Sequence, residues 1–428
     1  MNIFAQENNH IAFFQDILHQ QNSVVLHSKP ISLKKIDEIR CQVWNNWLIA
    51  NKEYNEEKLI SLDSISKGLH GIWNIPSNLE PDAKMPYYFG CKGIQPHEGY
   101  PFFLYIHGSG PKNHEWANGL KFAQNFQDGP SVYFVPQIPN EGIYYRWYQK
   151  SKQYIWMKLL RQSMLRKDID PNRIYFFGIS EGGYGSQRLA SFYADYLAAA
   201  GPMAGGEPLK NAPAENCMNI GFSLRTGAED FGFYRDILTR YTKETFDSLE
   251  MVYPDAFKHF IELIPNRGHS IDYRPTTPWL KEFKRNPWPK NFIWEDFEMD
   301  GMHRTGFYNL VVIERPHAEL RTRYDFSITD NKINVTVHDV HYTTVQTDTR
   351  WGIEMKFNKS YTLSQKGKFI IYLNEHLVDL KKKVTIIVNG KKIFDGKIKC
   401  DEIHMLKSLG TFYDSQRIYP AAIEVEIN

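Results

Sequence analysis

Residues 173–185 read Arg-Ile-Tyr-Phe-Phe-Gly-Ile-Ser-Glu-Gly-Gly-Tyr-Gly, an apolar run that ends in Gly178-Ile179-Ser180-Glu181-Gly182. This pattern predicts a buried strand that delivers Ser180 into a turn so tight that glycine is required two residues before and after it. Such a turn points the Ser180 hydroxyl out of the sheet and aims the backbone N–H of Glu181, at a helix N-terminus, toward an oxyanion. The sequence therefore predicts a nucleophile elbow and a serine hydrolase. The alternative is an ordinary glycine-rich turn between a strand and a helix.

The surroundings of this stretch favour the elbow. Residues 174–177 are apolar, as a strand buried on both faces requires, and residues 187–193 continue at helical period. Other short apolar runs lie between helical stretches, at residues 101–106, 131–136, 196–201, 219–224 and 260–264. Strands that alternate with helices predict an α/β fold with a mostly parallel sheet, whose ligands bind at the carboxyl ends of the strands.

Length and composition exclude several classes of protein. The chain has 428 residues, of which 42% are hydrophobic, so it is long enough for two domains with sizeable cores. A formal net charge of +2 gives no reason to expect nucleic acid as a partner, and no run approaches the ~18 apolar residues of a membrane span. The cysteines contain no C-x-x-C pair and give no zinc or redox signature, and the sequence does not decide whether any two form a disulfide.

The chain is predicted to have three parts. Residues 1–70 contain two or three amphipathic helices, which we expect to pack against the next domain. The α/β domain covers residues 71–290, and the proline-rich, charged stretch 275–300 predicts a linker at its end. Residues 301–428 lose the helical period and predict an all-β domain, a sandwich, in which Asn389-Gly390 is a strong signal of a two-residue hairpin.

The first residues bear on localisation. Residues 3–9 read Ile-Phe-Ala-Gln-Glu-Asn-Asn, which is similar to the tail of a signal peptide. We therefore expect a secreted or periplasmic protein, with an ordinary cytoplasmic start as the alternative.

The elbow serine needs a base. A serine hydroxyl becomes a nucleophile when a histidine takes its proton and a carboxylate orients that histidine. In hydrolases with this elbow the acid and then the histidine follow the serine, each in a loop after a strand. The apolar run at 260–264 leads into Pro265-Asn-Arg-Gly-His269-Ser270, which makes His269 the expected base. His259 lies just before that run, at the end of a predicted helix, and does not fit the pattern.

The acid has more than one candidate. The apolar run at 219–224 leads into Thr226-Gly-Ala-Glu-Asp230, where Glu229 and Asp230 are adjacent and only one can face the site. Asp230 is the expected acid, because a short loop and a short side chain suit a fixed hydrogen bond. Asp236 and Asp272 are further alternatives.

The second oxyanion donor is expected in the loop after residues 101–106, which reads His107-Gly-Ser-Gly110. Its glycines allow a backbone N–H to approach the substrate oxygen closely, and the backbone of Ser109 is the expected donor beside that of Glu181. His107 is expected to make structural hydrogen bonds at the strand end. This set of residues requires no metal and no organic cofactor.

Residues 170–185 and Ala198-Ala-Ala-Gly-Pro-Met-Ala-Gly-Gly206 resemble the poly(3-hydroxybutyrate) depolymerase and feruloyl or acetyl esterase group of α/β-hydrolases. Gly227-Ala-Glu-Asp230 and Gly268-His269 match the group's Gly-x-x-Asp and Gly-His loops, so the resemblance covers about residues 95–275. It implies an α/β-hydrolase fold, hydrolysis of a carboxylic ester, and Asp230 as the acid. Val378-Asp-Leu and Val388-Asn-Gly are similar to C-terminal β-modules of exported bacterial hydrolases.

Glu181 departs from the group, in which small or amide residues are more familiar after the nucleophile. An anionic side chain beside an oxyanion hole must turn away or meet a cation.

The resemblance implies a small-molecule or polysaccharide-linked ester as substrate, on a carbohydrate or phenolic group. Four aromatic residues precede the elbow and could line a cleft for such a group: Tyr144, Tyr145, Trp147 and Trp156. Trp147 is the expected substrate contact. The alternative is that these residues belong to the core. The sequence leaves two alternative functions: a serine peptidase of the prolyl oligopeptidase type, and a non-catalytic carbohydrate-binding protein. No β-propeller repeat precedes the elbow, which argues against the peptidase.

Overall fold

Two helices begin the chain, α1 (Ile3–Leu18) and α2 (Ile36–Glu53). A computed structural model describes the backbone of residues 3–427 and the side chains from residue 9, so most of the predicted signal-peptide remnant lies outside the described side chains. The indole of Trp47 is fully buried and stacks on Tyr413, with ring centroids 5.5 Å apart. Asn51 accepts a hydrogen bond from Arg161 at 2.5 Å. Helix α2 therefore contacts both the middle of the chain and its C-terminal part.

An eight-stranded sheet follows, in the order β1-β2-β4-β3-β5-β6-β7-β8. Its strands are β1 (His70–Asn74), β2 (Lys84–Lys92), β3 (Tyr100–Ile106), β4 (Ser131–Pro136), β5 (Ile169–Ile179), β6 (Ala199–Met203), β7 (Gly221–Gly227) and β8 (His259–Ile264). Strand β2 runs antiparallel to β1 and β4, whereas β3 to β8 are mutually parallel. The predicted α/β fold with a mostly parallel sheet is confirmed.

Apolar composition explains the central strands. Every residue of β3 and β4 is buried, as expected for parallel strands covered on both faces by helices. The helices of this part are α3 (Lys112–Asn125), α4 (Lys150–Met164), α5 (Glu181–Tyr193), α6 (Arg235–Val252) and α7 (Thr276–Leu280). The carboxyl ends of β3, β5, β7 and β8 lie on one edge of the sheet, which brings the predicted site loops together.

The C-terminal part contains two further sheets. The four-stranded sheet has the order β10-β11-β15-β18, and the six-stranded sheet has the order β17-β16-β13-β12-β9, with β14 paired to β13. The strands are β9 (Asn291–Asp296), β10 (Gly306–Phe307), β11 (Leu310–Glu314), β12 (Arg321–Thr329), β13 (Lys332–Thr347), β14 (Glu354–Leu363), β15 (Gly367–Leu373), β16 (Lys383–Val388), β17 (Lys391–Lys397) and β18 (Ala421–Ile427). Asn389 and Gly390 join β16 to β17 with φ angles of 49° and 79°, so the predicted hairpin is confirmed.

Two predictions about this part are wrong. The linker stretch contains β9, because Trp294 pairs with Tyr324 of β12 and both rings are buried. The part is also not all-β, since it contains the helix α8 (Glu402–Phe412). Asp401 caps α8 by accepting the N–H of Ile403 at 3.0 Å, and the helix buries Leu409.

Buried charges connect the α/β part to the C-terminal part. Arg417 and Arg304 donate to the fully buried Asp195, at 2.7 Å and 3.1 Å. Arg417 also pairs with Asp414 at 3.0 Å, and Asp414 lies 2.8 Å from Arg285. The two parts therefore share a desolvated ionic network as well as apolar contacts.

Within residues 3–427, no helix is both long and apolar enough to cross a bilayer. All four cysteines are free thiols.

Candidate active site

Ser180 lies in a sharp turn between β5 and α5, with φ 58° and ψ −115°. A non-glycine residue in this region of backbone space is strained by roughly 1–3 kcal/mol, and it persists only where the surroundings hold it. The Ser180 N–H donates to the carbonyl of Met203 on β6 at 2.9 Å, and the Ser180 carbonyl accepts from Tyr184 at 3.0 Å. The strand and the helix thus fix the turn from both sides.

Close backbone packing explains the glycines around Ser180. A Cβ on Gly178 would lie 2.5 Å from the carbonyl oxygen of Ile106, and one on Gly182 would lie 2.0 Å from the same atom. Since neither contact can be relieved without moving β3, both positions require glycine. This is the geometry of a nucleophile elbow.

Three side chains form a continuous hydrogen-bonded row at the carboxyl edge of the sheet. His269, in the loop after β8, places Nε2 3.0 Å from Oγ of Ser180 and Nδ1 2.7 Å from Oδ2 of Asp230. Because Nδ1–H donates to the carboxylate, Nε2 is the acceptor that can take the serine proton. Serine, histidine and aspartate come from three different loops, and the structure brings all three together.

The environment of Asp230 suits a permanent negative charge. Its side chain is 3% exposed, and Oδ1 accepts from the guanidinium of Arg235 at 2.9 Å. Burial alone would raise the pKa of Asp230, but the hydrogen bond from His269 and the charge of Arg235 lower it overall. Of the alternative acids, Glu229 is exposed and Asp272 forms an ion pair with Arg274 at 2.8 Å.

The loop after β3 lies directly against Ser180. A Cβ on Gly108 would be 3.3 Å from Cβ of Ser180. The loop's carbonyls are fixed by two buried aromatic donors: Trp147 Nε1 donates to the oxygen of His107 at 2.8 Å, and the Tyr145 hydroxyl donates to that of Gly108 at 2.8 Å. Side-chain donors thereby hold the backbone that includes the predicted oxyanion donor, the N–H of Ser109.

His107 is a neutral, structural residue. Nδ1 lies 2.8 Å from the carbonyl of Gly108, and Nε2 accepts the N–H of Ile138 at 3.1 Å. Burial lowers the pKa of His107 to about 4, so the ring is neutral and this tautomer satisfies both nitrogens.

Glu181 is a buried carboxyl that meets a cation. Its side chain is 12% exposed, and Oε2 lies 3.5 Å from Nη1 of Arg146. Oε1 is buried and makes no hydrogen bond to the part of the chain that the structure describes. Burial raises the pKa of Glu181 to about 7, although the charge of Arg146 opposes the rise. The side chain therefore has little access to water, and its nearest cation, Arg146, lies 3.5 Å away.

A pocket of about 440 Å³ opens beside Ser180. Its polar lining includes Glu181 and a bidentate ion pair between Arg188 and Glu207, at 2.7 Å and 3.0 Å. Its lining also includes Gly352 and Ile353, from the connection between β13 and β14, and Glu354, the first residue of β14. The pocket is thus built by the α/β part and the C-terminal part together.

Solved structures similar to about half of this chain include esterases and a depolymerase. A thermostable esterase is 21% identical with a TM-score of 0.40, over 52% of this chain and 64% of its own length. A ferulic acid esterase is 15% identical with a TM-score of 0.37, over 50% and 98%. A poly(3-hydroxybutyrate) depolymerase from Bordetella parapertussis is 13% identical with a TM-score of 0.37, over 47% and 84%. No family model and no curated protein matches the chain.

The predicted substrate contact Trp147 requires a correction. Its indole is fully buried, beneath the loop that it holds, and it takes no part in lining the pocket. Trp156 and Tyr145 are buried as well, so these aromatic residues form core and not a cleft. The physical reason is that Trp147 lies in the loop before α4, where its ring packs between His107 and Trp156, and Nε1 of Trp156 donates to its carbonyl at 2.9 Å.

Sequence reasoning missed several pocket residues. Arg235 lies only five residues after Asp230, and this proximity was the one available signal for their ion pair. Arg146 and Arg188 carry no motif that distinguishes them from surface arginines. Residues 352–354 join the pocket through tertiary contacts that no local pattern records.

Proposed function

We propose that the protein is a serine hydrolase that cleaves carboxylic esters through an acyl-enzyme. The observation that supports it most directly is the row from Ser180 Oγ through His269 to Asp230, with donor–acceptor distances of 3.0 Å and 2.7 Å at a strained elbow. Both distances are within hydrogen-bond range, so no rearrangement is needed before proton transfer.

Acylation begins when Oγ of Ser180 attacks the ester carbonyl carbon while Nε2 of His269 takes the hydroxyl proton. The carbonyl π electrons move to oxygen, giving a tetrahedral oxyanion. As the intermediate collapses, the bond to the leaving alcohol breaks and His269 returns the proton to that alkoxide. Water then repeats the same steps on the acyl-enzyme and releases the acid. Asp230 keeps the imidazole in the required tautomer and stabilises its cationic form.

The oxyanion is proposed to bind the backbone N–H groups of Glu181 and Ser109. Glu181 supplies the first N–H of a helix, where the helix dipole adds to the attraction. Ser109 follows Gly108, and the loop at Gly108 lies directly against Ser180. This proximity supports the N–H of Ser109 as a donor to an oxyanion formed at Ser180. These donors are preorganised, so the oxyanion is stabilised without movement of the loop.

We also infer that the two C-terminal sheets pack face to face as a sandwich. Trp294 of β9 stacks on Phe307 of β10 at 5.4 Å, and Tyr324 of β12 meets Phe369 of β15 at 5.8 Å. Each pair joins one sheet to the other, as the two inner faces of a sandwich do.

A fluorophosphonate probe tests the nucleophile. The wild-type protein is expected to be labelled at one residue. Ser180→Ala should lose the label and retain about 10⁻⁴ or less of the wild-type esterase activity. Ser248→Ala, which removes an exposed hydroxyl on α6, is the matched control and should retain both. Labelling that persists in Ser180→Ala would remove this serine from its proposed role.

A substrate panel tests the bond that is cleaved. Alkyl acetates and butyrates, methyl ferulate and acetylated xylan are compared with a proline-containing amide. Faster turnover of the esters supports the proposal, whereas preference for the amide identifies a peptidase. Binding of xylan with neither labelling nor turnover identifies a non-catalytic carbohydrate-binding protein.

A further inference from the structure

The connection between β13 and β14 reaches the active-site pocket. Strand β13 spans 16 residues, and the six residues after it, 348–353, contact Phe233 and Tyr234, which follow Asp230 in the chain. Asp348 accepts the hydroxyl of Tyr234 at 2.6 Å. Glu354 pairs with Lys210 at 2.9 Å. Two polar contacts, one at each end of this hairpin tip, therefore attach it to the α/β part.

The α/β side of this contact is strained. Phe233 and Tyr234 follow Asp230 closely and adopt positive φ angles of 54° and 57°. Consecutive non-glycine residues in this region are uncommon, and such strain tends to be kept where it serves a function. Here it turns the Tyr234 hydroxyl toward Asp348 and the Phe233 ring toward Trp351.

Phe233 and Trp351 form an exposed aromatic pair at the mouth of the pocket. Their ring centroids are 4.5 Å apart and the planes are inclined by 45°. Phe233 is 41% exposed and also lines the pocket, while Trp351 is 47% exposed. Asp348 accepts the backbone N–H of Trp351 at 2.5 Å, so the indole is presented by a fixed turn. A guanidinium lies over each ring: Arg235 is 5.2 Å from the centroid of Phe233, and Arg350 is 4.8 Å from that of Trp351. The part of each ring that remains exposed is a hydrophobic surface available to a ligand.

We propose that the aromatic pair Phe233–Trp351 is a substrate subsite that binds a ring with a flat apolar face, held against the pocket by the hairpin tip of the C-terminal part. This subsite deepens the proposed ester hydrolysis and rests on it. A ring stacked there lies outside the pocket, while the ester extends inward past Phe233 to Ser180. The ring is either an aryl group or the apolar face of a sugar, since both stack on indole.

The test separates binding from turnover. Four esters are used: ethyl acetate, which has no ring; phenyl acetate and methyl phenylpropanoate, which carry an aryl ring on opposite sides of the ester; and an acetylated methyl glucoside. Dissociation constants are measured by NMR titration in a Ser180→Ala background, and kcat/KM is measured in the otherwise wild-type chain. Each is repeated with Trp351→Ala, Trp351→Phe and Ile393→Ala. Ile393 is 42% exposed on β17 and lies outside the pocket lining, so it is the matched control.

We expect Trp351→Ala to weaken binding of a ring-bearing ester by about three- to tenfold more than it weakens ethyl acetate, with the same selective loss in kcat/KM. Trp351→Phe should recover most of that loss, and Ile393→Ala should show none. Whichever of the aryl esters or the glucoside shows the loss identifies the ring. Equal loss for all four esters indicates a structural role and overturns the subsite, as does no loss for any. If Trp351→Ala selectively weakens binding but the wild-type protein turns over none of the esters, the subsite is upheld and the proposed hydrolysis is contradicted.

Discussion

The guanidinium of Arg235 lies 2.9 Å from Oδ1 of Asp230, while the other carboxylate oxygen of Asp230 accepts from His269 at 2.7 Å. One buried carboxylate therefore orients the imidazole and is itself held by a cation. The ion pair restricts the carboxylate to a single orientation, since both of its oxygens are engaged.

Replacement of Asp230 by asparagine tests this orientation. Asp230→Asn preserves the shape of the side chain but favours the wrong imidazole tautomer, so we expect kcat to fall by about 10³- to 10⁴-fold. Glu229→Gln is the matched control, because Glu229 is the adjacent exposed acid; its kcat should stay within about twofold of wild type. Steady-state kinetics on an alkyl acetate measures both. A similar loss in the two variants would contradict the assignment of Asp230.

Removal of the cation should change the pH profile. In Arg235→Met the carboxylate of Asp230 remains buried without its charge partner, so its pKa rises from its present lowered position. The ionised form is then lost at a higher pH on acidification, and the acid limb of kcat/KM moves upward. The loss of kcat/KM relative to wild type should therefore be smallest at neutral pH and grow toward acid. Arg240→Met, an exposed arginine on the same helix, should leave the profile unchanged.

Local sequence signals were sufficient to predict the strained turn at Ser180 and the chain order of Ser180, Asp230 and His269, which the structure brings together. Gly178 and Gly182 are dictated by a single carbonyl of β3, and such tight packing leaves a visible motif. The helix α8 also had a signal, in Asp401 and the apolar spacing of Met405, Leu409 and Phe412, but a short helix among strands is easily read as irregular. The expectation that Trp147 contacts the substrate is wrong, because the sequence does not distinguish a buried ring from one that lines a cleft.

Contacts between distant segments could not be predicted. Tyr234 and Asp348 are 114 residues apart, and their contact depends on how the C-terminal sheets pack on the α/β part. The same applies to Arg417 and Asp195, which are 222 residues apart. From sequence alone, charged residues such as these are predicted to lie on the surface. Only the tertiary fold shows that they are buried away from water.

The carboxyl of Glu181 should make stability depend on pH. Its pKa is raised from 4.5 in the unfolded chain to about 7 in the folded protein. Between these values the unfolded chain releases a proton that the folded protein keeps, so the folded state loses stability as pH rises through the window. Glu181→Gln removes this loss. The free energy of unfolding of Glu181→Gln minus that of wild type should therefore increase between pH 4.5 and pH 8, by up to about 3 kcal/mol.

Urea unfolding at several pH values measures this difference. Glu38→Gln, at an exposed position on α2, provides the control and should show no such trend. A constant difference between Glu181→Gln and wild type across the window would mean that the carboxyl keeps its ordinary pKa.

Asp195 should be the most sensitive single position of the ionic network between the two parts. Its fully buried carboxylate compensates Arg304 and Arg417, so Asp195→Ala leaves two desolvated guanidinium groups with too few acceptors. Breaking a buried pair from one side is expected to lower the free energy of unfolding by about 3–5 kcal/mol. Asp37→Ala, which breaks the pair between the exposed Asp37 and Arg40, should lower it by about 1 kcal/mol or less. Urea titration followed by tryptophan fluorescence measures both. Equal effects would show that water reaches Asp195 in solution and that the network does not stabilise the contact between the parts.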